Sequence, residues 1–97
     1  MKRINLVYEY DYDDVDILEI PDEIFPHIQD LSQDYLSWIP PKDNENEWIK
    51  YKDGSLVLSK GSKGFVSWLN NNFCKNEKAS VLFYNTKFDK SLKRIDF

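Results

Sequence analysis

Apolar and polar residues alternate over residues 2–10, with Ile4, Leu6, Tyr8 and Tyr10 on one side and Asn5, Val7 and Glu9 on the other. This period of two, in β-branched and aromatic company, predicts a strand. The turn formers at residues 11–14 interrupt it, and alternation resumes over 15–20 with Val15, Ile17 and Glu19 opposite Asp16, Leu18 and Ile20. A hairpin follows, with Asp11, Asp13 and Asp14 at its exposed tip. Pro21, Asp22 and Glu23 close the second strand, and the acidic pair suits a first helical turn, where free N–H groups favour negative charge. Ile24, Ile28, Leu31, Tyr35 and Trp38 then recur at three- and four-residue steps, reinforced by Phe25, Leu36 and Ile39 and opposed by Gln29, Asp30, Gln33 and Asp34. The spacing predicts an amphipathic helix that ends before Pro40-Pro41, accepts Pro26 in its first turn, and is the longest, core-bearing element.

Residues 40–47 show neither apolar residues beyond the prolines nor any period, the pattern of a solvent loop. Residues 48–52 and 55–59 flank Asp53-Gly54, a strong hairpin signal. After a flexible stretch over 60–64, Phe65, Trp68, Leu69 and Phe73 mark a short second helix with Ser62 as its N-cap. Residues 78–84 carry a nearly continuous apolar run that predicts a buried strand, and 91–97 a half-exposed one. The order ββαββαββ, with runs of strands between isolated helices, predicts a single α+β domain over residues 1–97 built on an antiparallel or mixed sheet with two helices.

Composition adds what the pattern does not. Ninety-seven residues suffice to bury a core without staples. Six Phe, six Tyr and three Trp exceed the needs of that core, so some aromatic surface is left for an interface. One cysteine excludes an internal disulfide, and no leader, membrane-length apolar run or lipidation signal is present, which points to the cytoplasm and away from a membrane. The net charge of −4 conceals a division. Residues 1–48 hold thirteen acidic against three basic residues, and residues 49–97 four against ten. Two charged regions follow unless the fold interleaves the halves. Overall acidity argues against direct nucleic-acid binding.

The supply of catalytic groups is thin. His27, beside Pro26, reads as a surface histidine near Asp30 and Glu23 rather than a base, and Cys74 as a small core residue with no base near it. An EF-hand beginning at Asp11 fails because Val15 fills the fifth position, Asp16 the sixth and Asp22, not Glu, the twelfth. One Cys and one His make no zinc site. Gly61 to Gly64 lacks phosphate-loop spacing. No cofactor, metal or catalytic residue is expected, and the chain is read as a non-enzyme.

What remains is the segment from Glu9 to Glu23, with eight carboxylates in fifteen residues and no Lys or Arg. Such crowding costs about 1 kcal/mol per close pair in water unless a cation is met there. Solubilising the hairpin is one explanation; docking a basic protein is another, with Glu9, Asp11, Tyr12, Asp13, Asp14, Asp16 and Glu19 as the partner-binding residues. The loop 40–47 and Trp48 offer a different interface. In its short, acidic, aromatic-rich, cysteine-poor character and in this segment the chain resembles the immunity proteins of bacterial toxin–immunity pairs, such as those of contact-dependent growth inhibition. The resemblance implies an inhibitor that binds a cognate toxin domain, often a basic nuclease, and blocks its active site, and it carries over no residue roles. Codon-biased Lys, Asn, Ile, Asp and Tyr fit an A/T-rich bacterial or phage source. The alternative is a nucleic-acid mimic or phage-encoded inhibitor of a host defence enzyme, which asks for carboxylates spread along an extended face.

Overall fold

The first two strands pair as their alternation predicts, β1 (Lys2–Val7) antiparallel to β2 (Val15–Ile20), with Ile4 opposite Leu18 and Leu6 opposite Asp16. The computed structural model describes every residue except Tyr10 and Asn46. The expected place of Tyr10 on the apolar side of β1 therefore lies outside the described residues. A 3₁₀ turn (Phe25–His27) leads into α1 (Ile28–Ser37), followed by the small hairpin β3 (Trp48–Lys50) and β4 (Leu56–Leu58), then α2 (Ser62–Asn72), β5 (Ser80–Thr86) and β6 (Lys93–Asp96). The architecture is α+β, with a four-stranded mixed sheet ordered β5-β2-β1-β6 and a separate two-stranded β3-β4 sheet. β6 runs parallel to β1; the other pairings are antiparallel.

Both faces of the four-stranded sheet are covered. Ile4, Leu6, Leu18, Ile20 and Ile95 pack against Ile28, Leu31 and Tyr35 of α1 and Phe65 and Leu69 of α2. Each such aliphatic side chain contributes about 1.5–3 kcal/mol on full burial. The opposite face, Val7, Val15 and Ile17, packs against Leu82, Phe88 and Leu92. Leu82 extends that face on β5, while Phe88 and Leu92 belong to the β5–β6 connection, which must cross beneath β2 and β1 because its two strands lie on opposite edges of the sheet. Asn5, fully buried in β1, holds it there: its amide donates to the carbonyls of Asp89 (2.8 Å) and Leu92 (3.2 Å) and its oxygen accepts the Asp89 N–H (2.9 Å).

Several expectations are corrected by tertiary context. The longest helix is α2, at eleven residues, not α1, at ten. The first turn around Pro26 winds as 3₁₀ rather than α, and α1 ends at Trp38, which turns extended two residues ahead of Pro40. Ser62 is the first residue of α2 and Gly61 its N-cap. The apolar run of β5 does not lie buried between neighbours: as an edge strand with an irregular register against β2, it leaves Phe83 and Tyr84 each 56% exposed. Finally, the charge division does not survive as two regions. The acidic hairpin β1-β2 lies between β5 and β6, strands of the lysine-rich half. Among the described residues, no helix is long and apolar enough to cross a membrane.

Candidate partner-binding surface

The loop from Tyr8 to Asp14 is shaped by backbone bonds. The Asp11 N–H donates to the Tyr8 carbonyl (2.9 Å), Glu9 between them adopts φ +48°, and the Asp11 carboxylate accepts the Asp13 N–H (3.1 Å) in an Asx turn. Tyr12 is tied to the layer below. Its carbonyl accepts the Phe88 N–H (3.1 Å), its ring meets Phe88 edge-on at 5.3 Å, and the Arg94 guanidinium lies 5.0 Å over it. Glu9, Asp11, Asp13 and Asp14 are all exposed, and among the described residues none of the four makes an ion pair. The tip thus presents four carboxylates around an anchored tyrosine.

The remaining members of the acidic segment do not join them. Asp16 is 4% exposed and points to the helix-bearing face of β2. Its oxygens accept three bonds, from the Ser62 hydroxyl (2.6 Å), the Tyr8 hydroxyl (3.0 Å) and the Asn85 N–H (3.0 Å). The Tyr8 hydroxyl in turn accepts the Ser62 N–H (2.8 Å), one of the free donors at the start of α2. Asp16 therefore seats the positive end of α2 on the sheet, and as a docking residue it is withdrawn. Burial pushes the Tyr8 phenol up to about 12. Glu19 projects from the opposite face of β2, roughly 13 Å along the strand from Val15, and pairs with Arg3 at 3.7 Å. Asp22 and Glu23 are exposed beyond the far end of β2. The eight carboxylates are thus divided between the tip, the core, the back face and the far end.

The loop 40–47, expected to be solvated throughout, carries a residue that sequence reasoning missed. Glu47 is 2% exposed. The Tyr35 hydroxyl donates to its carboxylate, 2.7 Å from Oε1 and 2.6 Å from Oε2. Lys60 Nζ stands 3.9 Å from Oε2 and gives its hydrogen bonds to the carbonyls of Tyr35 and Trp38, each at 2.7 Å, closing the C-terminus of α1. Burial lowers the Lys60 ammonium, with Glu47 opposing it, and burial together with the Glu47 carboxylate raises the Tyr35 phenol well above the usual tyrosine range. Gly64 in α2 makes room: a Cβ there would overlap Glu47 Oε1 and Tyr35 Oη. The only signals in the sequence were a tyrosine at a core position, whose hydroxyl needs a partner, and a glycine inside a helix. Trp48, the neighbouring candidate, is half-buried, with its indole N–H on the Pro40 carbonyl (3.2 Å) and Lys42 over its ring at 3.7 Å.

Between α2 and the 40–47 loop lies a cleft of about 250 Å³, with Trp38, Trp68, Asn44, Ser67, Asn71 and Glu47 among its walls. His27 is exposed and Cys74 buried. Among the described residues, no group of three or more His, Cys, Asp or Glu side chains is arranged to hold a metal ion. Compared with family models, curated proteins and solved structures, the chain matches none.

Proposed function

We propose that the chain is a non-enzymatic inhibitor of the immunity-protein type, acting in the cytoplasm on a basic toxin enzyme, a nuclease by class, as in contact-dependent growth inhibition. It docks the hairpin tip onto the enzyme's cationic substrate groove and excludes substrate. One observation carries this reading: Glu9, Asp11, Asp13 and Asp14 are exposed together on a loop held by the Asp11–Tyr8 backbone bond and an Asx turn at Asp11, beside an anchored Tyr12, and among the described residues none of the four makes an ion pair. Four like charges held in place focus a field that speeds encounter with a cationic surface, and a rigid tyrosine anchors the complex at little entropic cost. Asp16 and Glu19 take no part. The mimic alternative gains nothing from the geometry, since it needs carboxylates in a row along one face, and these part between two faces and two ends.

The test is association with a cognate toxin domain, sought as the product of a gene immediately upstream, followed across a salt series. Replacing Asp11, Asp13 and Asp14 by Asn should slow association by about tenfold at low salt and flatten its salt dependence. Unchanged association would refute the tip as the docking surface.

A further inference from the structure

We infer that the chain forms a two-fold homodimer by pairing the outer edge of β4 with the same edge of a second copy. β3 and β4 make a sheet of their own, and Ile49, Leu56, Val57 and Leu58 join neither apolar cluster of the domain. All four are exposed, the three of β4 by 37–42%. A two-stranded hairpin without cover is marginal in water, and a further strand steadies it. The backbone says where that strand adds. Within the hairpin the Ser59 N–H donates to the Glu47 carbonyl (2.6 Å) and the Tyr51 N–H to the Ser55 carbonyl (2.9 Å), with Val57 opposite Ile49. The odd-numbered residues of β4 thus face β3, and alternation turns the N–H and C=O groups of Leu56 and Leu58 outward. Among the described residues, no hydrogen bond from outside the hairpin reaches either one.

This edge is complementary to itself. A two-fold axis through Val57 sets Leu56 of each copy opposite Leu58 of the other, and those two pairs close four N–H···O bonds with the groups that point outward. Val57 then meets Val57 and Ser55 meets Ser59, so the ladder holds no charge. Moving the axis to Leu56 would instead set Lys52 against Lys60 of the second copy. The other edges are guarded. On β3 the Trp48 N–H is already bonded to the Asn44 carbonyl (3.2 Å) and Lys50 stands on the strand; β6 carries Lys93, Arg94 and Asp96; β5 has an irregular register. β4 offers no charge by which to select a foreign strand, whereas its own copy matches it in apolar pairs and in donors and acceptors. The paired segments bury a few hundred Å² per copy, at the small end of specific interfaces, so the dimer is weak and forms in step with concentration.

Sedimentation equilibrium of the intact chain over a concentration series should show its mass rising from one chain towards two. In NMR the Leu56 and Leu58 amides, freely exchanging in the dilute chain, should slow by at least about threefold as it is concentrated. Leu56→Pro removes an outward N–H and no bond to β3, and proline is tolerated on an edge, so association should weaken by at least about tenfold, while Leu56→Ala, which keeps the donor, weakens it less. Val57→Lys, at an exposed position, should abolish association by placing two ammonium groups at the axis. Should Leu56→Pro loosen the hairpin, Val57→Lys carries the test alone. A chain that stays monomeric at every concentration, or association that survives Val57→Lys, would overturn the dimer. The Asp11, Asp13 and Asp14→Asn variant should still self-associate, so the dimer and the docking tip fail separately.

Discussion

Replacing Gly64 by Ala sets helix propensity against packing, and the structure decides which wins. In an open helix interior the change stabilises by about 1 kcal/mol. In α2 the new Cβ overlaps Glu47 Oε1 and Tyr35 Oη and lies 3.0 Å from Glu47 Cδ. Both obstructing atoms belong to buried side chains that hydrogen-bond to one another, so neither can swing into solvent. Displacing them forfeits a hydrogen bond to a charged group, about 1.5–3 kcal/mol, and adds the strain of an overpacked core, about 1–3 kcal/mol. After the helical gain, a net loss of about 1.5–5 kcal/mol remains, and at roughly 4–8 °C per kcal/mol for a domain of this size the melting temperature falls by at least about 6 °C. Urea denaturation followed by circular dichroism measures the loss, with an unchanged m-value showing that the unfolded state is not its origin. In a Tyr35→Phe, Glu47→Ala background, where both obstructing atoms are gone, the same substitution should become stabilising. A Gly64→Ala protein as stable as the native chain would refute the packing of Glu47 against α2.

Asp16→Ala should cost about 3 kcal/mol or more, because it strands the Ser62 and Tyr8 hydroxyls and the Asn85 N–H and loosens the start of α2 from the sheet, whereas Asp11, Asp13 and Asp14→Asn together should leave stability within about 0.5 kcal/mol, both read by thermal denaturation. Tyr8 and Tyr35 hold their protons above the ordinary tyrosine range, so between about pH 10 and 12 the unfolded chain loses protons that the folded chain keeps. Stability must therefore fall as pH rises through that window, and Tyr8→Phe should reduce the slope in denaturant titrations at stepped pH. In β3 and β4, where Ile49, Leu56, Val57 and Leu58 remain exposed, amide hydrogens should exchange much faster than those of β1 and β2; equal protection would contradict the sparse packing of that hairpin.

Local pattern fixed most of the secondary structure because its causes are local. Alternation placed β1 and β2, Asp53-Gly54 placed the β3-β4 turn, where Gly54 takes φ +86°, and the recurrence of Ile28, Leu31 and Tyr35 identified the buried stripe of α1. The exposed tip at Asp11, Asp13 and Asp14 was legible for the same reason. The edge position of β5 was not, since an apolar run looks alike in a central strand and in an edge strand, and only pairing partners distinguish them. Asp16 and Glu47 were misassigned to the surface because a lone carboxylate in a sequence is presumed solvated. What buries each is a donor far along the chain: Ser62 and Asn85 for Asp16, and Tyr35 for Glu47.

By itself, the sequence determined which segments are strands and helices, which side of each is apolar, and that the first half is strongly acidic, all properties set within a few residues. Tertiary structure alone decided that β5 and β6, strands from the lysine-rich half, enclose the acidic hairpin, that the segment's eight carboxylates part to different places, and that a buried glutamate lines a cleft. Those outcomes depend on contacts between residues many positions apart, and a charge's meaning changes from solvated to structural according to which distant donor the chain brings to it.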